Sequence, residues 1–210
     1  MASSGSHSGR LVLIIGPSGV GKSVVLRKLK ALHPEFVFPR SATTRSRRPG
    51  EGDDLYRFVA DTEFDALIKQ DKVLEWATVH DGPPDPNRIV RAGARYGTLE
   101  EEIVPPMQQG KIVVREVDIQ GFHSIRKHVL FSGTHPRFPL RSVFILPESR
   151  EQLIGRIRRR SPMAEDELRR RIASMDREIA DASLCTAQVV NRDGQLDETV
   201  REVEQVIVGG

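Results

Sequence analysis

The stretch from Leu11 to Ser23, LVLIIGPSGVGKS, decides how the rest of the sequence is interpreted. Its first five residues form a short apolar run ended by glycine, which is typical of a buried parallel strand. The following segment, Val24 to Leu32, carries apolar side chains at helical spacing, and His33-Pro34 predicts the end of that helix. A buried strand, a glycine-rich turn and a helix therefore follow one another directly.

The glycine-rich turn GPSGVGKS fits the pattern G-x-x-x-x-G-K-[ST] and lies between a strand and a helix, as this phosphate-binding loop must. Its glycines let backbone N–H groups surround a phosphate, and the helix N-terminus adds a positive dipole. Lys22 is expected to reach the β- and γ-phosphates, and Ser23 to offer its hydroxyl to Mg²⁺. The loop therefore predicts binding of ATP with Mg²⁺, through Gly16, Pro17, Ser18, Gly19, Val20, Gly21, Lys22 and Ser23.

The remaining segments predict an α/β fold. Further buried strands are expected at Lys111–Val117, Arg141–Pro147 and Ala187–Asn191. Helical patterns lie between them, at Leu99–Gln109, Phe122–His128, Arg150–Arg159, Glu165–Ala182 and Asp197–Val208. Strands that alternate with helices indicate a parallel sheet flanked by helices, with right-handed crossovers. The segment VVREVD ends in the acids Glu116 and Asp118. The phosphate-binding loop by itself does not decide between hydrolysis of ATP and transfer of its phosphoryl group to an acceptor.

Residues from about 40 to 97 interrupt this alternation. They contain short alternating segments, YRFV and VLEWATV, and one predicted helix at Thr62–Gln70. The segment His80–Arg95 is rich in proline, glycine and arginine, which predicts a long exposed loop. We interpret the whole region as an inserted, mixed or partly antiparallel subdomain.

Composition limits the function classes. The chain has 210 residues, enough for one core with an insertion, and its net charge of +3 is too balanced for a protein that binds nucleic acid over its whole surface. No apolar run approaches the roughly 20 residues that span a bilayer. A single cysteine, Cys185, suits a reducing compartment. We therefore expect a cytoplasmic protein with no nucleic-acid or membrane partner, a flexible N-terminus at residues 1–10, and a monomer or weak homodimer.

The stretch SATTRSRRPGEGDDLYRF, Ser41 to Phe58, places four arginines among hydroxyl groups with few apolar residues. A solvated basic loop is one interpretation. Beside an ATP site, a second interpretation is a binding loop for a phosphorylated acceptor, because guanidinium groups bind phosphate bidentately. The candidates for this role are Arg45, Arg48 and Tyr56, whereas Arg47 and Arg57 are expected to be solvated.

At this point the chain resembles the guanylate kinase family. SATTRSRRPGE followed by YRF is similar to the segment of that family that binds the GMP phosphate, and LEWATVH and RYGT to its next two GMP-contacting segments. EVDIQG resembles the following strand, RIRRRSPMAEDELRRRI the arginine-bearing lid, and VVNRDG the adenine-side loop. In this order, and with the phosphate-binding loop, these motifs cover the chain from about Leu11 to Val208.

The resemblance implies phosphoryl transfer from ATP to GMP, giving ADP and GDP. It implies a guanylate kinase-like domain at 11–208, with a core of 11–39 and 98–208, a GMP-binding insertion at about 40–97 and a helical lid at about 156–172. It assigns Ser41 to the guanine O6 edge, and Glu75 and Asp118 to the N1–H and N2–H₂ edge. It further assigns Arg45, Arg48, Tyr56 and Tyr96 to the GMP phosphate, Thr98 to the base or phosphate, Asn191 to the adenine side, and Lys22, Arg156, Arg160 and Arg171 to the triphosphate and the transferring group.

Three departures from the family pattern accompany the resemblance. Leu55 stands where an acidic residue usually precedes the tyrosine, Glu116 replaces the usual aspartate, and residues Pro83–Arg95 lengthen a short link. Two alternative functions are a non-catalytic guanylate kinase-like interaction domain and a P-loop kinase for another phosphorylated acceptor. Lys22 and Ser23 favour an enzyme over the interaction domain, and the carboxylates Glu75 and Asp118 favour guanine, whose N1–H and N2–H₂ are donors, over other bases.

Overall fold

The computed structural model describes residues 9–47, 51–79, 93–160 and 164–209, apart from the side chains of Val79 and Arg160. Three groups of predictions lie outside this description: most of the flexible N-terminus, Arg48, and the greater part of the loop predicted at His80–Arg95. Among the described helices, none combines the length and the apolar character that crossing a bilayer would require.

Eight strands and seven α-helices occupy the described ranges. The strands are β1 (Arg10–Ile15), β2 (Ser41–Thr43), β3 (Tyr56–Phe58), β4 (Val73–Val79), β5 (Ala94–Leu99), β6 (Ile112–Glu116), β7 (Leu140–Pro147) and β8 (Ala187–Asn191). The helices are α1 (Lys22–Leu32), α2 (Asp61–Lys69), α3 (Glu100–Gln108), α4 (Ile119–Lys127), α5 (Arg150–Arg160), α6 (Glu165–Ala180) and α7 (Leu196–Val208), with a 3₁₀ turn at Asp181–Leu184.

The first sheet is parallel throughout and has the order β6-β1-β7-β8. Leu11–Ile15 of its inner strand β1 are buried because helices cover both faces of the strand. Val12 and Ile14 pack in the same apolar cluster as residues of α1 and α7, whereas Leu11 and Leu13 pack in the cluster that contains residues of α3 and α4. This arrangement confirms the predicted α/β fold with a parallel sheet flanked by helices.

The second sheet has the order β3-β2-β5-β4 and is mixed. Strand β2 pairs in parallel with β3 and antiparallel with β5, and β5 pairs antiparallel with β4. Its own small core is formed by Ala42, Leu99 and residues of α2, chiefly Phe64 and Leu67. The mixed sheet predicted between the strands of the parallel sheet is therefore confirmed.

One prediction in this region is wrong at its C-terminal end. The loop predicted at His80–Arg95 includes Ala94 and Arg95, but both belong to β5, where Ala94 pairs with Val79 of β4. The Arg95 side chain is only 5% exposed. Its guanidinium group lies 2.6 Å from carboxylate oxygens of Asp61 and Asp65 and 4.6 Å from the Phe64 ring centre. These partners on α2 compensate the cost of burying the charge. They are distant in sequence, so the polar composition of the segment His80–Arg95 does not indicate them.

Candidate active site

The loop Gly16–Ser23 connects β1 to α1, as predicted. Three of its glycines have positive φ angles: 148° at Gly16, 86° at Gly19 and 110° at Gly21. A Cβ atom on Gly16 would lie 2.5 Å from the Ile145 carbonyl oxygen, and one on Gly21 would lie 2.4 Å from the amide nitrogen of Asn191. Both the backbone conformation and the space therefore require glycine at these positions.

The Lys22 ammonium group is held over the phosphate-binding loop. Its Nζ donates to the carbonyl oxygens of Gly16, at 2.6 Å, and Pro17, at 3.2 Å. The same nitrogen lies 3.7 Å from the Glu116 carboxylate, and the lysine side chain is only 12% exposed. Lys22 is thus positioned as a nearly buried cation beside the backbone N–H groups that would surround a phosphate.

Glu116 connects the lysine to the serine of the same loop. It is the last residue of β6, and its second carboxylate oxygen accepts a hydrogen bond from the Ser23 hydroxyl at 3.2 Å. This hydrogen bond directs the hydroxyl proton toward Glu116 and leaves the oxygen lone pairs of Ser23 available to a cation. The glutamate that departs from the family pattern therefore reaches both Lys22 and Ser23.

The Val20 carbonyl oxygen receives hydrogen bonds from two of the residues predicted on the ATP side. Asn191 donates its amide at 2.7 Å and Arg156 donates from Nη1 at 3.1 Å. The Asn191 side chain is buried, and its own oxygen accepts from Thr199 at 3.2 Å. The structure thus places Asn191 against the backbone of the phosphate-binding loop.

The arginines predicted to form the lid are not all brought together. Arg156, on α5, is hydrogen-bonded to the loop carbonyl and paired with Asp193. Arg171, on α6, is 48% exposed and pairs with Glu167 of its own helix at 2.8 Å. The Arg160 side chain lies outside the described residues. Of these arginines, the structure brings Arg156 alone, among the described side chains, to the phosphate-binding loop.

The carboxylates predicted to bind guanine converge at the start of α4. Asp118 is the N-cap of this helix and accepts a hydrogen bond from the Gly121 N–H at 2.7 Å. A Cβ atom built on Gly121 would lie 3.2 Å from Glu75 Oε2 and 3.3 Å from Asp118 Oδ1, so the two carboxylates border the same point. Thr98 donates its hydroxyl proton to Glu75 Oε1, and Ser41 is the cross-strand partner of Thr98 in the second sheet.

An arginine that the sequence interpretation missed lies at the centre of this group. Arg115, on β6, is 7% exposed. Its Nη2 donates to the Ser41 hydroxyl oxygen at 3.1 Å and lies 3.8 Å from Glu75 Oε1. The signal in the sequence is that Arg115 directly follows the apolar residues Ile112–Val114 within a predicted buried strand.

Burial shifts the pKa values of Glu75 and Arg115 in opposite directions, and both shifts disfavour the charged form. Burial raises the pKa of Glu75, and the nearby positive charge of Arg115 and the hydrogen bond from Thr98 partly oppose that rise. Burial also lowers the pKa of Arg115, against the attraction of Glu75. The pair is therefore costly to bury, which is characteristic of functional sites as well as of structural ion pairs.

The residues predicted for the acceptor phosphate form a second group on the same sheet. Arg45 donates from Nε to the Tyr96 hydroxyl at 3.2 Å, and its guanidinium carbon lies 5.1 Å from the Tyr56 ring centre. Two further hydrogen bonds, of 2.6 and 2.8 Å, join Arg45 to the Glu51 carboxylate. The bound Glu51 carboxylate raises the pKa of Arg45. The sequence interpretation had not singled out Glu51.

The other arginines of this stretch have surface partners. Arg47 pairs with Asp53 and is 42% exposed. Arg57 pairs with Glu63 and Glu101 and is 35% exposed. These exposed fractions agree with the expectation that both face solvent.

A cleft of about 430 Å³ joins the two ends of the site. Ser23 of the phosphate-binding loop lines it on one side, and Ser41 and Tyr56 of the second sheet line it on the other. Arg115 and Glu116 of β6 also border it, as does Leu55, which is 57% exposed. A molecule in this cleft would therefore contact both the ATP side and the acceptor side.

The family model of guanylate kinase matches residues 8–209 of this sequence. The chain belongs to the guanylate kinase family. Guanylate kinase of Thermosynechococcus vestitus is 38% identical over 209 residues, which cover 99% of this chain and 97% of the relative. Guanylate kinase of Nocardia farcinica is 36% identical over 203 residues, which cover 96% of this chain and 93% of that protein.

Among solved structures, this guanylate kinase-family chain is similar to the guanylate kinase of Anaplasma phagocytophilum. The TM-score is 0.65 with 24% sequence identity, and the match covers 96% of this chain and 85% of the other. At this identity the likeness shows a shared fold.

Proposed function

We propose that this protein transfers the γ-phosphoryl group of ATP to GMP, giving ADP and GDP. The observation that carries the proposal is the convergence of Glu75, from the second sheet, and Asp118, from the start of α4, near Ser41, which lines one cleft with Ser23 of the phosphate-binding loop. Membership of the guanylate kinase family supports it. A non-catalytic interaction domain is disfavoured because Lys22 and Ser23 are both present and positioned for phosphate and cation chemistry.

The acceptor base is selected by hydrogen-bond complementarity. Guanine presents two neighbouring donors, N1–H and N2–H₂, which suit the carboxylates of Glu75 and Asp118, and an acceptor at O6, which suits the Ser41 hydroxyl. Adenine presents an acceptor at N1, which a carboxylate repels. Thr98 orients the Glu75 carboxylate through its hydrogen bond. Buried polar groups left unpaired by the wrong base can reject it by about 10⁴-fold.

The acceptor phosphate binds at the second group of residues. Arg45, Tyr56 and Tyr96 are clustered there, and Arg48 follows in the same loop. The phosphate has to compete with Glu51 for the Arg45 guanidinium, since that carboxylate already accepts two of its hydrogen bonds. A dianionic phosphate is the stronger competitor on charge alone. Residues of about 40–97 thereby form the acceptor-binding unit.

The triphosphate binds at Gly16–Ser23, with Asn191 on the adenine side. Lys22 neutralises charge that develops between the two phosphates. Arg156, Arg160 and Arg171, in the lid of about 156–172, are the further cations, and Arg171 must leave its partner Glu167 to reach the site. The rest of the chain, about 11–39 and 98–208, forms the core that carries this half of the site.

Mg²⁺ fits the residues at the start of α1. Ser23 presents an oxygen whose proton is already engaged by Glu116, and oxygen ligands are those that Mg²⁺ prefers. Ser23 would hold the ion together with the phosphates of ATP. When bound, the ion supplies positive charge to the phosphoryl oxygens.

No side-chain base is required for the transfer. The attacking group is a phosphate oxygen of GMP, whose second pKa is about 6, so the phosphate is already mostly a dianion at neutral pH. The chain's residues align the two phosphates, neutralise their charge and keep water out of the site.

We further propose a cytoplasmic location, in keeping with the single Cys185, and a monomer or weak homodimer that acts on free nucleotides without a nucleic-acid or membrane partner.

A coupled assay of ADP formation with ATP·Mg²⁺ tests the proposal. GMP should be phosphorylated, dGMP more weakly, and AMP, CMP and UMP at background rates. Lys22→Ala is the negative control and should lose at least about 100-fold in kcat with the fold retained, because it removes a cation from developing charge. The exposed Lys28→Ala, on the same helix, should behave as the unsubstituted protein. Equal turnover of AMP and GMP would contradict the assignment of guanine as the acceptor base. Absence of turnover with every acceptor would contradict the proposal that the protein is an enzyme.

A further inference from the structure

Arg115 is a cation placed inside the parallel sheet. Its strand neighbours Val113 and Val114 are at most 1% exposed, and Arg115 itself is 7% exposed. A guanidinium group is expensive to bury unless its partners are well placed. A buried aliphatic residue would satisfy the apolar pattern of β6 without this cost, so the contacts of Arg115 require an explanation.

Those contacts join three strands at the base end of the acceptor site. From β6, Arg115 donates to Ser41 of β2 at 3.1 Å and approaches Glu75 of β4 to 3.8 Å. Within the described part of the chain, no atom accepts a hydrogen bond from its buried Nε. The arginine therefore directs its charge and its donors toward the two side chains proposed to contact guanine.

The hydrogen bond to Ser41 fixes the role of that hydroxyl. A serine hydroxyl has one proton and can either donate or accept toward a ligand. Because Ser41 already accepts from Arg115, its own proton is left to be donated. Arg115 uses one of the two lone pairs of the Ser41 oxygen, so the hydroxyl is better matched by an acceptor, such as the O6 oxygen of a 6-oxopurine, than by the amino group of a 6-aminopurine.

The charge of Arg115 fixes the role of Glu75 in the same way. A buried carboxyl group tends to bind a proton and would then present a donor. The charged groups that face Glu75 are Arg115 from β6, which favours its ionised form, and Asp118 from the start of α4, which disfavours it. Thr98 occupies Oε1, so Oε2 is the oxygen that remains for a ligand. With Arg115 in place, Glu75 accepts hydrogen bonds from the base.

We propose that Arg115 is a positioning residue for base selection, which holds Ser41 as a hydrogen-bond donor and Glu75 as an acceptor and thereby selects 6-oxopurine over 6-aminopurine nucleotides. This inference rests on the proposed function, because it assumes that Ser41 and Glu75 contact the base. Arg115 acts through these two side chains and takes no part in the transfer itself.

The test compares Arg115→Met, Arg115→Lys and the unsubstituted protein, with kcat and KM measured for GMP, IMP, AMP and ATP. Arg115→Met should raise KM for GMP and for IMP about 100-fold, because both acceptors use O6 and N1–H and a buried charged partner is removed. The KM for ATP and the kcat at saturating GMP should change little. Arg115→Lys keeps the positive charge but loses the planar guanidinium group with its several N–H donors. Its selectivity for GMP over AMP should fall about tenfold, and its KM for GMP should lie between those of Arg115→Met and the unsubstituted protein.

A pH profile separates positioning from a loss of packing. Without Arg115, the pKa of Glu75 rises further, so the ratio of the variant's kcat/KM for GMP to that of the unsubstituted protein should fall as the pH is lowered from 8 to 6. The ionisation of the GMP phosphate is common to both proteins and cancels in the ratio. A purely structural role would leave this ratio independent of pH.

The matched control is Arg95→Met, which removes the other buried arginine whose Nε has no partner among the described residues. Arg95 pairs with α2 and not with the base end of the site, so its loss should lower stability without changing the preference for GMP over AMP. Unchanged KM for GMP and unchanged selectivity in Arg115→Met overturn the inference. If that variant does not fold, unchanged selectivity in Arg115→Lys overturns it. Failure of the unsubstituted protein to phosphorylate GMP instead overturns the proposed function.

Discussion

At the scale of single residues, the arginines of the Ser41–Phe58 segment differ in what they contact. Arg45 is held among Tyr56, Tyr96 and Glu51, whereas Arg47 and Arg57 lie in exposed ion pairs. Truncating a desolvated charged contact costs about 2–5 kcal/mol, whereas an exposed pair contributes about 0–1. The segment therefore combines the group proposed to bind the acceptor phosphate with arginines in exposed ion pairs.

Arg45→Ala is expected to raise KM for GMP about 100-fold, and Arg48→Ala to raise it strongly as well. The KM for ATP should change little because the phosphate-binding loop is a separate element. Arg47→Ala and Arg57→Ala are the matched controls and should change KM for GMP by less than about fivefold. Steady-state kinetics with each substrate varied in turn distinguishes them. Similar effects in all four variants would indicate a diffuse electrostatic attraction and contradict the assignment.

Relative to the unsubstituted protein, Glu75→Gln should gain stability as the pH rises, and it should be nearly inactive with GMP. Burial raises the pKa of Glu75, so the folded state retains a proton that the unfolded state releases near pH 4.5. The stability of the unsubstituted protein must then fall as the pH rises through that window, whereas the neutral glutamine avoids the loss. Its kcat/KM for GMP should fall about 100-fold, since an acceptor for the base is lost.

Urea unfolding of both proteins at pH 4.5 and pH 7.5 measures the effect. The free energy of unfolding of Glu75→Gln minus that of the unsubstituted protein should be larger at pH 7.5 than at pH 4.5. Glu101→Gln, which alters an exposed carboxylate on α3 that pairs with Arg57, is the control and should show a smaller change between the two pH values. A difference in the free energy of unfolding that is the same at both pH values would contradict the raised pKa of Glu75.

At the scale of elements, strands buried on both faces were easier to predict than strands defined by pairing. The segment Leu11–Ile15 was predicted to within one residue of the bounds of β1, because its apolar residues are consecutive and all buried. Strand β2 has three residues and β5 contains a glycine, so neither shows a clear alternation. The two strands pair with each other, and β2 also pairs with β3 and β5 with β4, which the local sequence does not encode.

The same limit applied inside the candidate site. The phosphate-binding loop was predictable because all of its residues are consecutive. The partnership of Arg115 with Ser41 joins positions 74 residues apart, and a charged residue in an apolar strand identifies no partner by itself. The family resemblance supplied Glu75 and Asp118, but Arg115 and Glu51 became visible only with the tertiary contacts.

The phosphate-binding loop is the element with the least tolerance for a side chain. Gly21→Ala would place its Cβ 2.4 Å from the Asn191 amide, at a φ of 110°. We expect a loss of about 1–3 kcal/mol in the free energy of unfolding and a higher KM for ATP. In Gly155→Ala, the added Cβ meets no atom closer than 3.7 Å inside α5, so stability should rise by about 0.5–1 kcal/mol. Urea unfolding checks both, and a stable Gly21→Ala with unchanged KM for ATP would contradict the role given to the loop.

At the scale of the whole molecule, the two sheets each carry one half of the proposed reaction. In that reaction the loop after β1 would bind one phosphate chain and the second sheet the other nucleotide, and residues of both line the cleft of about 430 Å³. Transfer requires the reacting atoms to approach to about 3–3.5 Å, and water must be excluded or ATP would be hydrolysed. Arg171 also has to break its ion pair with Glu167 before its guanidinium group can contact the phosphates. These requirements together favour closure of the second sheet and the lid over the loop when both substrates are bound.

Closure predicts that a bisubstrate analogue, two nucleosides joined through a phosphate chain, reduces the radius of gyration measured by small-angle X-ray scattering more than ATP or GMP alone. It also predicts that ATP hydrolysis without GMP proceeds at less than about 1% of the transfer rate, because the water-excluding arrangement needs both ligands. Arg171→Ala should lower the transfer rate without abolishing the compaction, whereas Arg170→Ala, a neighbour that is 71% exposed, should change neither. An unchanged radius of gyration, with hydrolysis as fast as transfer, would mean that the site works without closing.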